Sequence, residues 1–199
     1  MTGAAHDAVI LAAGGSQRLG RPKQLLTVAG EPLVARASRI VAATRPGRMV
    51  TIVGAHAERM CGHLAGAQAV FNPAWATGMA SSLQAAADAL AGRTNPVLIV
   101  VIDQPALDEA HLWRLLAAHD GTRDTVTAYG DAMGVPAVLR AATLRQAMTL
   151  EGDMGFRALW QDTLPATVRA DAFAADLDTE DDLARAVAAG RIDRDRGPM

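Results

Sequence analysis

Short apolar runs alternate with amphipathic stretches along most of this chain. Val9 to Ala12, Met49 to Val53, Ala69 to Phe71 and Val97 to Ile102 are strand-length, and glycine, asparagine or proline follows each within a few residues. Between the first two, Leu33, Ala37, Ile40 and Val41 recur at helical spacing and predict a helix over Glu31 to Thr44. Pro32 sits near its start, where a missing donor does no harm, and Arg45-Pro46-Gly47 stops it. A short helix is expected from Ala57 to Leu64, and another runs to Leu90 with Ser81 or Ser82 as its cap. A further helix covers Glu109 to His119, with Asp108 placed to cap it. Continuous apolar strands alternating with such helices predict an α/β sheet, largely parallel and covered on both faces.

The second half is less regular. Asp124 to Tyr129 and Val135 to Leu139 read as strands flanking Gly130-Asp131-Ala132-Met133-Gly134, a pair expected at a partly antiparallel edge. Gly152 to Arg157 begins a helix continuing to Trp160, with Asp153 near its positive end. Thr179 followed by Asp182 is the start of a capping box, and Glu180 and Asp181 complete an acidic first turn. Residues 1–190 read as one domain, and the charged stretch 191–199 as a flexible tail.

Composition narrows the class. Half of the 199 residues are apolar but only 4% are aromatic, so alanine must fill much of the core and helices can lie close to the sheet. A net charge of −2 gives no general attraction for nucleic acid or a membrane surface, and no stretch is long enough to span a bilayer. The N-terminus lacks the pattern of a secretory signal, and the lone Cys61 excludes an internal disulfide, so a cytoplasmic location is expected. His56, Cys61 and His63 lie close together, but without a second cluster they read as incidental rather than as a metal site.

The chemistry begins where the first strand ends. Gly14-Gly15-Ser16 lets the backbone turn sharply and expose its amides, and Arg18 and Lys23 follow, with Gly20 and Pro22 between them. A strand opening into a glycine turn that carries two cations suits a polyphosphate. Two better-known glycine loops do not fit. Gly15 to Gly20 has P-loop spacing, but Arg21-Pro22-Lys23 supplies no hydroxyl for magnesium, and the adjacent Gly14 and Gly15 break the dinucleotide fingerprint. Asp103, at the end of the strongest strand, emerges where ligands of open α/β sheets bind and offers a hard oxygen to magnesium.

The pattern L-A-A-G-G-S-x-R-x-G-x-P-K-x-L-L over Leu11 to Leu26 resembles the signature of the molybdenum cofactor cytidylyl- and guanylyltransferases. Four further segments match in order: Asn72 to Leu83, Asp103-Gln104-Pro105, Gly152 to Arg157, and the D-x-D-T of Asp176 to Thr179. The resemblance implies a three-layer α/β/α Rossmann-like nucleotidyltransferase domain with a mostly parallel mixed sheet. It implies transfer of CMP from CTP to the phosphate of molybdopterin, a phosphorylated pterin, with magnesium as cofactor and a molybdoenzyme or its chaperone as partner. Leu11, Ala12, Ala13, Gly14, Gly15, Ser16, Arg18, Lys23, Gly78 and Ser82 would bind nucleotide, and Arg18, Lys23 and Asp103 would be catalytic. Asp103 and Asp178 would hold the metal, with Asp176 the alternative second ligand, and Gly155 and Arg157 would meet the acceptor.

Cytidylyl-transferring relatives resemble the Ala12-Ala13 pair, whereas guanylyl-transferring ones carry Leu-Ala-Gly-Gly. Gly134-Val135-Pro136 departs from the Gly-His-Pro of the cytidylyl branch and leaves the acceptor open. Two alternatives stand beside this reading: a same-fold transferase using GTP or another phosphorylated acceptor, and a non-catalytic accessory protein that holds a cofactor.

Overall fold

The computed structural model describes residues 5–64, 66–160 and 163–194. A seven-stranded sheet is built from β1 (Asp7–Ala12), β4 (Met49–Val53), β5 (Gln68–Phe71), β6 (Val97–Val101), β7 (Thr125–Tyr129), β8 (Ala132–Leu139) and β9 (Ala166–Arg169). A separate two-residue ribbon pairs β2 (Thr27–Val28) with β3 (Glu31–Pro32). Strand order in the large sheet is β5-β4-β1-β6-β8-β7-β9, and β8 alone runs against its neighbours. The helices are α1 (Leu33–Ala43), α2 (Ala57–Met60), α3 (Met79–Ala89), α4 (Glu109–Ala118), α5 (Ala141–Gln146) and α6 (Glu180–Ala188).

All six residues of β1 are buried, and their alternation divides the core into two layers. Val9 and Leu11 face α3 and α5 through Leu83, Ala86 and Leu144. Ala8, Ile10 and Ala12 face α1 and α4 through Val34, Ile40, Leu112 and Leu115. The expected three-layer α/β/α architecture with a mostly parallel mixed sheet is therefore observed. Chain order runs from β1 outward to β4 on one side and to β6 on the other, which opens a crevice at the carboxyl ends of β1 and β6.

Several local expectations are corrected. Helix α1 starts at Leu33 because Pro32, with ψ of 143°, is still extended, and the Leu33 amide donates to the Leu26 carbonyl at 2.8 Å. β8 begins at Ala132, so only Gly130 and Asp131 turn the hairpin, and Gly134-Val135-Pro136 lies inside a strand. That hairpin returns β8 between β6 and β7, so the antiparallel strand is internal and the edges are β5 and β9. Gly152 and Asp153 form a turn rather than a helix start, and the helical part is a 3-10 segment, Phe156–Trp160. Helix α3 starts at Met79, so Ser81 and Ser82 lie inside it and accept hydrogen bonds from Asn72 Nδ2 instead of capping.

The two expected caps form. The Asp108 side chain accepts from the His111 amide, and Thr179 and Asp182 make a reciprocal capping box. The chain also stays attached beyond Gly190. Ile192 is buried against Leu19, Leu33 and Leu183, and the Asp193 carboxylate accepts from the Ala29 and Gly30 amides. Residues 195–199 of the expected tail lie outside the described residues. Burial, then the nearby Arg114 cation, push the pKa of His111 down to about 4, so it packs neutral beneath Phe173. No helix among the described residues is long and apolar enough to cross a membrane.

Candidate active site

The loop after β1 has a consistent polarity. Gln24 Nε2 donates to the Ala12 carbonyl at 3.0 Å and to the Gly14 carbonyl at 2.7 Å. The Ala55 amide donates to the Ala13 carbonyl at 3.1 Å, and His56 Nε2 lies 3.3 Å from the Gly15 carbonyl. The Ser16 carbonyl accepts from the Leu19 and Gly20 amides. Every carbonyl from Ala12 to Ser16 is thus engaged by protein. Among the described residues, none of the amides of Gly14, Gly15, Ser16 or Gln17 donates to a protein acceptor. Successive free amides with their carbonyls tied back make a nest for an anion.

Glycine is needed where the loop meets its neighbours. A Cβ on Gly15 would lie 2.8 Å from the Trp75 ring. Gly78 has φ of +117°, which L-residues rarely adopt, and a Cβ there would collide with the Gly152 carbonyl. That close approach joins the start of α3 to the Gly152 turn, where the Gly152 carbonyl accepts from the Ala80 amide at 3.0 Å.

Beside the loop is a cleft of about 330 Å³. Its walls include Leu11 and Ala12 from the end of β1, Ala13 and Gly14 from the loop, Gly78 just before α3 and Ser82 within it, and Arg18, Lys23 and Asp103. Gly15 and Ser16 follow in the same turn but do not line the cleft, so eight of the ten sequence-predicted nucleotide residues meet at one crevice. Gln24, Trp75, Met79 and Asp153 also line it and were not singled out from the sequence as nucleotide contacts. A hydrophilic side chain set between Lys23 and Leu25-Leu26 was the available signal for Gln24, and the fold adds that it is fully buried.

The charged groups form one cluster. Lys23 Nζ lies 2.6 Å from Asp103 Oδ2 and 3.2 Å from Asp178 Oδ1, and its side chain is only 15% exposed. Burial alone would lower the lysine's pKa, but the two carboxylates outweigh it and hold it above the ordinary value. Arg18, largely in solvent, reaches the other oxygen of Asp178 at 3.0 Å. The Leu177 amide donates to the Asp103 carbonyl, which brings the segment carrying Asp178 against the end of β6. Asp182 accepts from the Asp178 and Thr179 amides while Thr179 accepts from the Asp182 amide, so the helix is capped without the Asp178 carboxylate, which is left to Arg18 and Lys23.

Asp176 has an exposed face, yet enough protein surrounds its carboxyl that burial is the largest influence on it. Burial and then repulsion from Asp103 push it up to about 6, against a hydrogen bond from Gln104, and solvent on the open side moderates that shift. Gly155 and Arg157 do not line the cleft. Arg157 is exposed and its Nε donates to the Met133 carbonyl of β8 at 3.2 Å. Burial, then the Asp176 charge, raise the pKa of the Tyr129 phenol, which Arg157 opposes.

Among the described residues no group of three or more His, Cys, Asp or Glu is placed to hold a metal. Asp103 and Asp178, bridged by one ammonium, offer two hard oxygen donors to a cation that arrives with its own phosphate ligands. Magnesium is typically bound in that way, through one or two carboxylates plus substrate phosphates.

Comparison with known proteins bears on the fold that carries this cleft. A family model described as MobA-like NTP transferase domain matches residues 8–168. Nicotine blue oxidoreductase of Paenarthrobacter nicotinovorans is 37% identical over 161 residues, which cover 75% of this chain and 78% of that protein. The structure of a homologue of Mycobacterium tuberculosis Rv0371c, from Mycobacterium sp. strain JC1, matches with a TM-score of 0.81 and 26% identity over 93% of this chain and 96% of that one. Rv0371c in complex with manganese shares the fold, with a TM-score of 0.77 and 23% identity over 94% of this chain and 100% of that one.

Proposed function

The chain belongs to the MobA-like NTP transferase family, and on that footing we propose that it moves CMP from CTP to the phosphate of molybdopterin and releases pyrophosphate. The observation that carries the reading is the polarity of the Ala13 to Gln17 loop, with free amides beside Arg18, Lys23, the Asp103 carboxylate after β6 and the Asp178 carboxylate ahead of α6. An oxygen of the acceptor phosphate attacks the α-phosphorus in line. The new P–O bond forms as the bond to the β-phosphate oxygen breaks, and pyrophosphate carries that electron pair away. A phosphate with a second pKa near ~6 is mostly dianionic at neutral pH, so no protein base is needed. Catalysis is positioning and charge neutralisation. The loop amides and Lys23 hold the triphosphate, and Arg18 stabilises the departing pyrophosphate.

Asp103 and Asp178 would hold magnesium, which supplies Lewis-acid neutralisation of the phosphate oxygens. Lys23 exchanges carboxylate partners for phosphate ones as nucleotide enters. Arg157, Gly155 and the Tyr129 phenol border the side from which the acceptor approaches. A cytoplasmic location and a molybdoenzyme partner follow from that chemistry.

The base is tested through Ala13, which is 4% exposed and part of the apolar floor of the cleft. A methyl there leaves less room for a purine, and overpacking of that size costs ~1–3 kcal/mol. CTP should therefore exceed GTP in kcat/KM by roughly 5- to 150-fold with the same acceptor, and Ala13→Gly should narrow the gap. Equal efficiencies, or a preference for GTP, would remove the cytidylyl assignment and leave nucleotidyl transfer standing.

The 37% identity to an oxidoreductase favours one second reading, in which the same nest holds the pyrophosphate of a redox dinucleotide. It requires consumption of a reduced nicotinamide cofactor with a dye or quinone acceptor, no dependence on magnesium and no pyrophosphate. Cofactor oxidation at a rate unaffected by Asp103→Asn would establish it in place of transfer.

A further inference from the structure

We propose that Gln24 is a positioning residue that sets the polarity of the nucleotide loop. The inference rests on the nucleotidyl-transfer reading. Gln24 is fully buried, and its Nε2 bridges two carbonyls, Ala12 and Gly14, on either side of the turn. Its Oε1 has no hydrogen-bond partner among the described residues. A buried amide with an unmet acceptor is unfavourable where a leucine would fill the same space, so packing gives no reason for it.

Its place in the chain supplies one. Gln24 follows Lys23 within a single turn of 3-10 helix, Lys23–Leu25. The Ser16 hydroxyl accepts from the Lys23 amide at 3.2 Å, tying the far end of the loop to that turn. The loop amides and the Lys23 ammonium are thereby set against one another as a unit. Without Nε2, the peptide between Gly14 and Gly15 would be free to rotate and present its carbonyl oxygen to a phosphate. An oxygen dipole in place of an amide repels the anion that the nest should hold. Ala13 would remain anchored through Ala55, so the strand end and the floor of the cleft would stay in place.

The test compares wild type, Gln24→Leu and Gln24→Met by calorimetry with three probes: inorganic pyrophosphate with magnesium, CTP with magnesium, and cytidine. Leu and Met keep about the volume and add no charge while losing the double donor, so at least one variant should melt within a few degrees of wild type. In that variant pyrophosphate and CTP should bind roughly tenfold more weakly, the scale of losing about one charge-assisted contact. Cytidine, which has no phosphate, should bind unchanged, and KM for CTP should rise more than kcat falls. A general loosening of the cleft would weaken all three probes and would overturn the role. So would wild-type affinity for pyrophosphate in a folded variant, which leaves transfer itself intact. Failure of the wild type to bind pyrophosphate would overturn both the role and the transfer reading.

Discussion

Lys23→Ala should lower turnover by about 100-fold or more while the protein stays folded, the scale of losing one donor aimed at developing charge. Lys23 is the hub of the charged cluster, 2.6 Å from Asp103 and 3.2 Å from Asp178. It sits at the rim of the cleft and not within any of the apolar clusters, so its removal takes nothing from the core. On the proposed reading the ammonium also holds the triphosphate in the ground state, so KM for the nucleotide should rise as well. Arg18 cannot take over, since its guanidinium is largely exposed and engaged with the outer oxygen of Asp178. Steady-state kinetics of the purified variant, beside its melting curve, checks this. Near-wild-type turnover in a folded protein would end the assignment of Lys23.

Asp103→Asn is the second large effect. The amide keeps the shape but loses the charge that a metal needs, and its strand, β6, supplies the core through Val97 to Val100 irrespective of this side chain. If loss of an outer-shell partner costs 10- to 100-fold in metal affinity, loss of a direct ligand should raise the magnesium needed for half-maximal rate by ~10-fold or more. The readout is a magnesium titration at saturating CTP. An unchanged titration curve would exclude Asp103 as a ligand. Asp178→Asn should move the curve in the same direction, because Thr179 and Asp182, and not Asp178, make the helix cap.

What could be read from the sequence was what depends on neighbours in the chain. The β1 to Lys23 segment, the Asp108 cap and the Thr179–Asp182 capping box are all encoded within a few residues, and all are found. Where β8 would lie was not local information. Ala132-Met133-Gly134 looks like a loop until the hairpin lays it beside Tyr129 and its neighbours. Gly152-Asp153 resembled a helix start because nothing nearby reveals that the Gly152 carbonyl is claimed by Ala80, some seventy positions earlier. Ile192 joined the core for the same reason, through Leu19 and Leu33. At the site, single side chains of unusual type were visible, but the ties between them were not. Gln24 holding Ala12 and Gly14, and Lys23 poised between two carboxylates, appear only once the chain is folded.

The most direct measurement incubates the purified protein with magnesium, molybdopterin and CTP labelled at the α-phosphate, and follows the label together with released pyrophosphate. Nucleotidyl transfer predicts that label enters a cytosine dinucleotide of the pterin, with one pyrophosphate per label transferred, and that both vanish in Lys23→Ala. Absence of pyrophosphate and of labelled dinucleotide, with either CTP or GTP, in a protein that is folded and binds the pterin, would contradict it.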